Sequence, residues 1–391
     1  MPSRPQMTDE ALARPRLRLA FFGDANNVHM RRWIGYFADR DHEVLLMVPV
    51  NVSIRPGLHE NVRVDRFWPF SSRGRVPPLS YARARRSIRR ALRAFQPDVV
   101  NGHYLNPNGW HAWMSGCHPY VITAWGSDIF VTRRWPNSTL GRLALRSADR
   151  VMVNSAALGR GAVAMGARED SLQMVQWGVD LDRFSPGDDP TGMRRRLGLQ
   201  GRRVVLAPRA LSGIYRPEVV VKAVRKLPDD VSLVMLAGRS DPADVASVEE
   251  LAASLGLAER LIMIADLSDA EMPDLLRLAD VVVSVPFSDS TSSAILESMA
   301  SGCQIVATDL PSVREWLGQL EPGSLVPVDD VNATAAAISR ALARSARERA
   351  ELGSAARRIV ADRADASRSL AAVEDAYYEL SARVRGRLPS C

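Results

Sequence analysis

Short apolar runs, separated by polar turns that contain Gly, Asn or Pro, recur along almost the whole chain. The runs that we expect to form strands lie at residues 18–22, 43–49, 97–100, 119–123 and 151–154, and then at 203–207, 232–237, 260–264, 281–285, 304–308 and 324–328. Continuous β-branched runs are typical of strands that are buried on both faces, as in a parallel sheet. Helical stretches alternate with these runs, which predicts an α/β fold of doubly wound parallel sheets with right-handed crossovers.

The length of the chain predicts two domains. The chain has 391 residues, whereas single cores seldom grow beyond about 250–300. A turn-rich break from Arg183 to Pro190 separates the two series of strands, and the chain ends in helices expected at 333–350 and 365–383. We therefore expect a disordered N-terminus over 1–16, a first doubly wound domain over 17–184, a second over 185–364, and a segment over 365–391 whose helix crosses back to the first domain.

Composition and charge narrow the class of protein. Hydrophobic residues make up 46% and charged residues 24%, which is ordinary for a globular protein. No apolar run approaches the ~20 residues that span a bilayer, the N-terminus lacks the apolar core of a signal peptide, and three scattered cysteines are too few for a disulfide framework or a zinc site. We expect a cytoplasmic protein. The net charge of +7 comes almost entirely from arginine and suits phosphates, anionic lipid or nucleic acid alike.

The segment from Phe287 to Glu297 carries the most informative chemistry. It follows a buried-strand pattern, passes through small hydroxyl residues and enters a helical stretch at Ala294. A strand, a polar loop and a helix N-terminus together present free backbone N–H groups and a positive dipole end to an anion. Two carboxylates, Asp289 and Glu297, bracket this loop. Such a site suits a nucleotide sugar, whereas the alternative is an ordinary turn with Ser and Thr as helix caps.

A series of motifs appears in a fixed order from Leu17 to about Arg383. They are Asn27-Val-His-Met-Arg-Arg-Trp33, Pro97-Asp-Val-Val100, Ala124-Trp-Gly-Ser-Asp128, Gly178-Val-Asp-Leu-Asp-Arg-Phe184, Ala207-Pro-Arg209, Leu236-Ala-Gly238, Ala279-Asp-Val-Val-Val283 and Glu297-Ser-Met-Ala-Ser-Gly302. In this order they resemble family 4 of the nucleotide-sugar glycosyltransferases. The resemblance implies the GT-B fold, in which two Rossmann-like domains face a cleft. It also implies transfer with retention of anomeric configuration, with neither a metal nor a cofactor.

The resemblance assigns donor-binding roles to the second domain. Glu297 would hold the nucleotide ribose, and Asp289, where relatives carry glutamate, would hold hydroxyls of the transferred sugar. Arg209 and Arg216 would neutralise the leaving diphosphate, with Arg216 in place of the family's lysine; the alternative is that Arg216 is a solvated loop charge. The expected catalytic residues are Arg209, Arg216 and Asp289. The backbone amides of Ser290, Thr291, Ser292 and Ser293 would bind donor hydroxyls or phosphate, and Gly23 would let the first domain approach the donor phosphates.

The acceptor is expected to bind the first domain. The candidate residues are His29, Arg31, His103, Tyr104, Asn106, Trp125 and Asp128. Trp125 stands where many relatives carry a histidine, and an indole cannot shuttle a proton. His29 is either a ligand-binding or a structural histidine, and Asp128 either binds the acceptor or caps a local helix. The loop from Tyr104 to Trp110, with Trp113, forms either a stacking wall for the acceptor or part of the core.

The substrates are less well specified. Asp266 follows the strand 260–264 and could accept from N1 and N2 of guanine, which favours a GDP-sugar over a UDP-sugar, unless it is a solvated turn residue. The basic helix 80–95 is either a core-packed helix with a solvated face or a surface for anionic lipid or an anionic acceptor. Expected partners are the nucleotide-sugar donor and an acceptor. The acceptor is a small molecule, such as a secondary metabolite attacked through oxygen or sulfur, or alternatively a glycolipid or polysaccharide that is assembled for the envelope at the membrane. Nucleic acid is not expected, and the protein is expected to be a monomer or homodimer. A non-catalytic nucleotide-sugar-binding protein and a phosphorylase-like or epimerase-like GT-B enzyme are the rival classes.

Overall fold

The first domain is built on a seven-stranded parallel sheet. The computed structural model describes residues 14–68, 78–131, 137–188, 192–238, 240–320 and 322–384, so the expected disorder of residues 1–13 and the last residues of the C-terminal segment lie outside the described residues. The strands are β1 (Arg18–Phe22), β2 (Glu43–Pro49), β3 (Val62–Phe67), β4 (Val99–His103), β5 (Tyr120–Thr123), β6 (Arg150–Val153) and β7 (Leu172–Met174), in the order β3-β2-β1-β4-β5-β6-β7. The helices are α1 (Val28–Asp39), α2 (Pro78–Phe95), α3 (Trp110–Ser115), α4 (Ser127–Phe130), α5 (Asn137–Ser147) and α6 (Ala156–Ala164).

The second domain repeats this architecture with six strands. They are β8 (Arg203–Ala207), β9 (Val231–Leu236), β10 (Leu261–Ile264), β11 (Val281–Ser284), β12 (Ile305–Thr308) and β13 (Leu325–Val326), in the order β10-β9-β8-β11-β12-β13. The helices are α7 (Met193–Arg196), α8 (Pro217–Val224), α9 (Pro242–Ser254), α10 (Met272–Leu278), α11 (Ser293–Ala300), α12 (Pro311–Leu317), α13 (Val331–Ala343) and α14 (Ala346–Arg363). Two parallel sheets with helices on both faces confirm the predicted fold class.

The expected helix over 333–350 is wrong in one respect, because the structure divides it. The helix α13 ends at Ala343 and α14 begins at Ala346. Ser345 lies between them and accepts from the amide of Glu348, whose side chain in turn accepts from the Ser345 amide. This capping box satisfies amides that a new helix start leaves without partners, so it stabilises a break where the apolar spacing alone suggested continuity.

The last helix, α15 (Ala366–Val384), packs against the first domain. Val373 and Tyr377 are fully buried in the same core cluster as Phe21 of β1. The Asn101 side chain of β4 donates to the Tyr377 hydroxyl, and the Tyr36 hydroxyl of α1 donates to the Glu374 carboxylate at 3.0 Å. The helix therefore joins the first domain although it follows the second domain in the chain.

Packing changes from one domain to the other at Gly178. Trp177 belongs to the core of the first domain, whereas Val179 and Phe184 pack in the core of the second. The change therefore comes several residues before the expected boundary at 184. The segment at 364–366, which leads back to the first domain, lies beside this point, because the amide of Val179 donates to the carbonyl of Ala364 at 2.8 Å. A Cβ on Gly178 would lie 2.4 Å from Cα of Ala366, so only glycine allows these two interdomain segments to approach this closely.

Candidate active site

The carboxyl ends of both sheets face one cleft with a volume of about 570 Å³. Its first-domain wall comes from α1 and from the loops that follow β2, β4, β5 and β7. Its second-domain wall comes from the loops that follow β8, β9, β10 and β11. This is the position where doubly wound sheets bind ligands, because loops and helix N-termini converge there.

An ion pair between Arg209 and Asp289 lies at the centre of the second-domain wall. Arg209 Nη2 is 3.1 Å from Asp289 Oδ2, and the two side chains are 17% and 14% exposed. Arg209 Nη1 also donates to the Ser292 hydroxyl, and the guanidinium carbon lies 4.1 Å above the centroid of the Tyr215 ring. Burial raises the pKa of the Asp289 carboxyl, and the opposing charge of Arg209 counteracts this rise. The geometry places a cation and a carboxylate together where the sequence expected the sugar diphosphate.

The N-terminus of α11 opens into the same cleft. Ser292 is the N-cap residue, but its hydroxyl accepts from Arg209 and does not cap the helix. The first amides of α11 therefore keep their capacity to bind an anion, which the helix dipole favours. Ser293 and Glu297 also line the cleft, one at the start of this helix and one a turn later.

The hydroxyl groups of Ser290 and Thr291 join the two domains. Ser290 Oγ donates to the carbonyl of Trp125 at 2.7 Å, and Thr291 Oγ1 donates to the carbonyl of Asn154 at 2.7 Å. The Asn154 amide returns a hydrogen bond to the carbonyl of Thr291 at 3.2 Å. The loop that would hold the donor is thus fixed to the first domain by its own side chains. Sequence reasoning missed this role because it depends on contacts between residues far apart in the chain.

Arg216 does not reach the cleft lining, which corrects its assignment as a diphosphate ligand. Its Nε lies 2.7 Å from Asp329 Oδ1, and its guanidinium carbon lies 4.8 Å from the centroid of the Phe287 ring. This pairing fits the alternative of an ordinary loop charge. Tyr215, one residue earlier, lines the cleft instead and packs under Arg209.

Gly23 is buried but does not line the cleft. A Cβ at this position would lie 2.6 Å from the sulfur of Met30, so packing against α1 accounts for the glycine. The expected approach to the donor phosphates is therefore not supported. On the opposite wall, a Cβ on Gly238 would lie 2.0 Å from the carbonyl oxygen of Ala265, which places the loops after β9 and β10 in direct contact. Asp266 follows this contact, is exposed and lines the cleft.

Three stacked rings form the aromatic part of the first-domain wall. Trp125 stacks on Tyr104 at a centroid distance of 5.3 Å and on Trp177 at 5.0 Å, with interplanar angles of 11° and 28°. His29 lies 5.7 Å from the same indole and also lines the cleft. The indole of Trp125 is thus packed against three of the protein's own rings. Trp110 is buried in the core, so the core alternative holds for that tryptophan, and Trp177 is a wall residue that the sequence analysis did not single out.

His103 does not reach the acceptor side of the cleft, which corrects a second assignment. It is 2% exposed and lies edge-on to Trp33 at a centroid distance of 4.9 Å. Neither ring nitrogen has a hydrogen-bond partner among the described residues. Burial lowers the pKa of His103 to about 3, so the ring is neutral at physiological pH. Asn106 also lies outside the lining of the cleft.

Asp128 is a buried structural carboxylate and not a cleft residue. Its Oδ1 accepts from the amides of Trp125 and Gly126 at 3.0 and 2.8 Å, and its Oδ2 accepts from the amide of Leu105 at 2.7 Å. It therefore ties the loop after β5 to the loop after β4. Of the two expected roles, this arrangement is close to that of a local cap, and it holds Trp125 in place from behind.

The Arg31 side chain also binds backbone groups of the protein. Its guanidinium donates at 2.7 Å to each of three carbonyls, those of Ala25, Arg55 and Pro56. It does not line the cleft, whereas its neighbour Arg32 and the loop residue Arg55 do. Neither of these two arginines was predicted as a site residue. A basic pair in the motif Met30-Arg-Arg-Trp33 was visible in the sequence, but nothing in it indicated which arginine faces the cleft.

The basic helix α2 packs one face into the first-domain core. Ala84, Ile88, Leu92 and Phe95 are buried there, while Arg83, Arg86, Arg90 and Arg93 are exposed. This arrangement agrees with a core-packed amphipathic helix. Over the described parts of the chain, no helix has both the length and the apolar character needed to cross a membrane.

Comparisons with known proteins identify the family. Residues 18–155 match the family described as "Glycosyl transferase 4-like", and residues 192–359 match "Glycosyl transferases group 1". A protein named D-inositol 3-phosphate glycosyltransferase from Mycobacterium sp. (strain JLS) is 30% identical over 263 residues, which cover 63% of this chain and 59% of that relative. This chain thus matches less than two thirds of the length of that relative.

Solved structures of low sequence identity share the fold. Sucrose-phosphate synthase from Thermosynechococcus elongatus superposes with a TM-score of 0.81 at 18% identity, covering 94% of this chain and 100% of that one. The Anabaena protein HepE in complex with UDP and glucose gives a TM-score of 0.78 at 18% identity, covering 93% of this chain and 100% of that one. With the paired domains, the shared cleft and both family matches, the chain belongs to the family 4 glycosyltransferases of GT-B fold.

Proposed function

We propose that the protein transfers a sugar from a nucleoside-diphosphate sugar to a hydroxyl group of a small-molecule acceptor. The observation that carries this proposal is the cluster of Arg209, Asp289 and Glu297 around the N-terminus of α11, in a cleft that faces a second domain. An anion site flanked by two carboxylates suits a diphosphate flanked by two sets of sugar hydroxyls. Family membership supports the same reaction class.

In the proposed reaction, Arg209 and the first amides of α11 stabilise the leaving diphosphate. Asp289 accepts hydrogen bonds from hydroxyls of the transferred sugar, and Glu297 accepts them from the ribose. The acceptor hydroxyl attacks C1 on the face from which the diphosphate leaves, so the configuration is retained. Its proton passes to the leaving phosphate, so no protein base is needed at Trp125. These residues thereby supply positioning and electrostatic stabilisation of the transition state.

We propose further that Arg209 and the helix amides make a metal ion unnecessary. The experiment for the whole scheme is incubation with GDP- and UDP-sugars and a panel of small acceptors, read by mass spectrometry, with and without EDTA. An α-linked product from an α-linked donor, seen by NMR, supports retention. Inversion would reject the same-face mechanism, and consumption of no donor in any combination would reject the transferase proposal.

For the nucleotide, we propose a preference for GDP over UDP. The support is Asp266, an exposed carboxylate that lines the cleft beyond β10. A carboxylate can accept from N1 and N2 of guanine, whereas uracil offers it only N3–H. Calorimetry with GDP and UDP, repeated on Asp266→Asn, tests this point: the preference should shrink in the variant, and tighter binding of UDP by the wild-type protein would contradict it.

The acceptor that we would test first is a soluble phosphorylated cyclitol, because the relative from Mycobacterium is named for D-inositol 3-phosphate. We propose that the reaction takes place in the cytoplasm. The second candidate is assembly of an envelope glycolipid or polysaccharide at a membrane surface. The observation in its favour is the row of exposed arginines on α2. Sedimentation with anionic vesicles separates the two candidates, because only the second requires the protein to bind them.

A further inference from the structure

The helix α12 contacts the loop between β11 and α11, residues 285–292, which is called the donor loop from here on. Ser312 Oγ donates to the carbonyl of Asp289 at 3.0 Å, and Trp316 Nε1 donates to Thr291 Oγ1 at 3.2 Å. Residues four apart lie on one face of a helix, so both side chains reach the loop from the same side. Both are buried, and neither belongs to the described residues that line the cleft. They therefore contact the loop without facing a ligand.

The hydrogen bonds at Thr291 have a fixed direction. An indole N–H can only donate, so the Thr291 oxygen accepts from Trp316, and its single proton goes to the carbonyl of Asn154, 2.7 Å away. The same carbonyl accepts from Gln176 Nε2 at 2.9 Å. A continuous chain of hydrogen bonds thus runs from α12 to the residue before Trp177 in the first-domain wall of the cleft. Buried hydrogen bonds in such a chain strengthen one another.

Further contacts hold Trp316 in place. The guanidinium carbon of Arg363 in α14 lies 4.2 Å from the centroid of the Trp316 ring, and Arg363 Nη1 donates to the carbonyl of Glu315 at 2.8 Å. Glu315 Oε2 accepts in turn from the amide of Ala156, the first residue of α6, at 3.4 Å. A carboxylate at a helix N-terminus is stabilising. Contacts with α14 and with the first domain therefore fix the orientation in which the indole N–H meets Thr291.

The two bonds from α12 act on both halves of the donor site. Asp289, whose carbonyl accepts from Ser312, is the carboxylate that pairs with Arg209 and is proposed to bind the transferred sugar. Thr291 precedes Ser292, the N-cap residue of α11, whose first amides are proposed to bind the diphosphate. Misplacement of such groups by about 1 Å can lower the rate of a reaction about 10²-fold. Contacts that fix the donor loop therefore bear on donor binding.

We propose that Ser312 and Trp316 are positioning residues for the nucleotide-sugar site. Ser312 sets the position of the Asp289 carboxylate, and Trp316, through Thr291, sets the position of the first amides of α11. The inference rests on the proposed transferase function. It differs from a merely structural role, in which these buried bonds would stabilise the second domain and leave its affinity for ligands unchanged.

The test is calorimetric binding of GDP, UDP, GDP-mannose and UDP-glucose to the full chain, which requires no turnover. Trp316→Phe keeps a ring next to Arg363 and removes the N–H. It should weaken binding of the preferred nucleotide and of its sugar alike by about 2- to 10-fold, the equivalent of one neutral hydrogen bond. Ser312→Ala should weaken the nucleotide sugar by a similar factor and leave the free nucleotide nearly unaffected, because its effect passes through Asp289.

A double-variant cycle shows whether Trp316 acts through Thr291. Thr291→Val removes the acceptor of the indole N–H, so Trp316→Phe should weaken nucleotide binding in the wild-type background and have no further effect in the Thr291→Val background. Losses that simply add would overturn this part of the inference. Wild-type affinities in both Trp316→Phe and Ser312→Ala would overturn it as a whole.

Ser171→Ala is the matched control. Ser171 is buried like Ser312, and its Oγ donates to the carbonyl of Arg168 at 2.7 Å. It precedes β7, so it lies at the end of the sheet away from the cleft. Ser171→Ala should lower the urea midpoint much as Ser312→Ala does and leave the four affinities unchanged. A matching loss of affinity in Ser171→Ala would assign the effects to general destabilisation and overturn the inference.

Hydrogen–deuterium exchange of the free protein separates this inference from the proposed function. The amides of the donor loop should exchange faster in Trp316→Phe and Ser312→Ala than in the wild-type protein and Ser171→Ala. Faster loop exchange in a protein that binds none of the four probes would reject the transferase function and retain the control of the loop by α12. Unchanged loop exchange in variants that still bind the nucleotide and transfer sugar would retain the function and reject the positioning role.

Discussion

Replacement of Arg209 by alanine should separate its role in catalysis from its role in stability. The side chain pairs with Asp289 at 3.1 Å, and the two groups are 17% and 14% exposed. Removal of one partner from a buried pair costs about 3–5 kcal/mol, since the other charge stays buried and unpaired. Because the pair is partly exposed, we expect a loss of unfolding free energy of about 3 kcal/mol. Loss of one preorganised electrostatic group should also reduce turnover by about 10²–10³.

A double variant tells the two effects apart. Arg209→Ala with Asp289→Asn removes the unpaired carboxylate, so stability should recover while turnover stays low. The stability deficit of the single variant should also depend on pH. Burial already raises the pKa of Asp289, and loss of Arg209 raises it further, so the folded state holds the proton more tightly than the unfolded state. The free energy of unfolding of the variant therefore falls as the pH rises from the unfolded-state pKa of the carboxyl, ~3.9, through its raised pKa in the folded state.

The assays are steady-state transfer with the donor found in the screen, and urea unfolding at several pH values. Arg203→Ala is the matched control, because Arg203 forms an exposed pair with Asp230, with side chains 37% and 50% exposed. It should cost less than about 1 kcal/mol and leave turnover unaltered. A turnover near the wild-type rate in Arg209→Ala would refute the assigned role. A deficit in stability that the double variant does not reduce would refute the ion-pair explanation.

Three further predictions concern buried and interdomain groups. His103→Leu should reduce the rise of unfolding free energy with pH between about 3 and 6.5, by up to ~1.4 kcal/mol per pH unit, because the buried ring with a pKa of about 3 gains its proton only on unfolding. Urea unfolding at several pH values measures this slope, and an unchanged slope in the variant would contradict the prediction. Thr291→Val should lower the free energy of unfolding by about 1–3 kcal/mol and increase the radius of gyration in X-ray scattering, because the Thr291 hydroxyl donates to the Asn154 carbonyl of the first domain at 2.7 Å. An unaltered radius would show that this hydrogen bond does not hold the two domains together. Gly126→Ala should lower kcat/KM by about 10-fold or more, because its φ is 118° and a Cβ would lie 2.6 Å from Ser290 Oγ across the domain interface. Gly116→Ala, with a φ of 70° and no atom within 4 Å of the added Cβ, is the control that should leave the kinetics intact.

The strands were the most predictable part of the fold. The observed bounds of β1, β2 and β8 coincide with the apolar runs that predict them, because parallel strands buried on both faces need continuous apolar sequence. Two edge strands were missed. In β3 (Val62–Phe67) only the two end residues are buried and three of the six residues are charged, and β7 (Leu172–Met174) has only three residues. Neither gives the continuous apolar signal on which the prediction depended.

The candidate site was predicted less evenly. Arg209, Asp289 and Glu297 line one cleft, as their place after two central strands led us to expect. Several residues that do not fit their expected roles bind other parts of the protein and do not face the cleft. Arg216 pairs with Asp329, more than a hundred residues away, and Arg31 donates to the carbonyls of Ala25, Arg55 and Pro56. The local sequence does not reveal which of these partners a side chain meets.

The sequence by itself determined the family and the two-sheet architecture, and it predicted an anion-binding loop between two carboxylates. These follow from hydrophobic periodicity and from residue types that chemistry restricts to a few roles. Tertiary structure alone decided which of two adjacent arginines, Arg31 or Arg32, faces the cleft, and it stacked Trp125 on Tyr104 and Trp177. The physical reason is that periodicity fixes which face of an element is buried. Which polar groups remain available to a ligand depends on hydrogen bonds and ring contacts that form only when distant segments pack together.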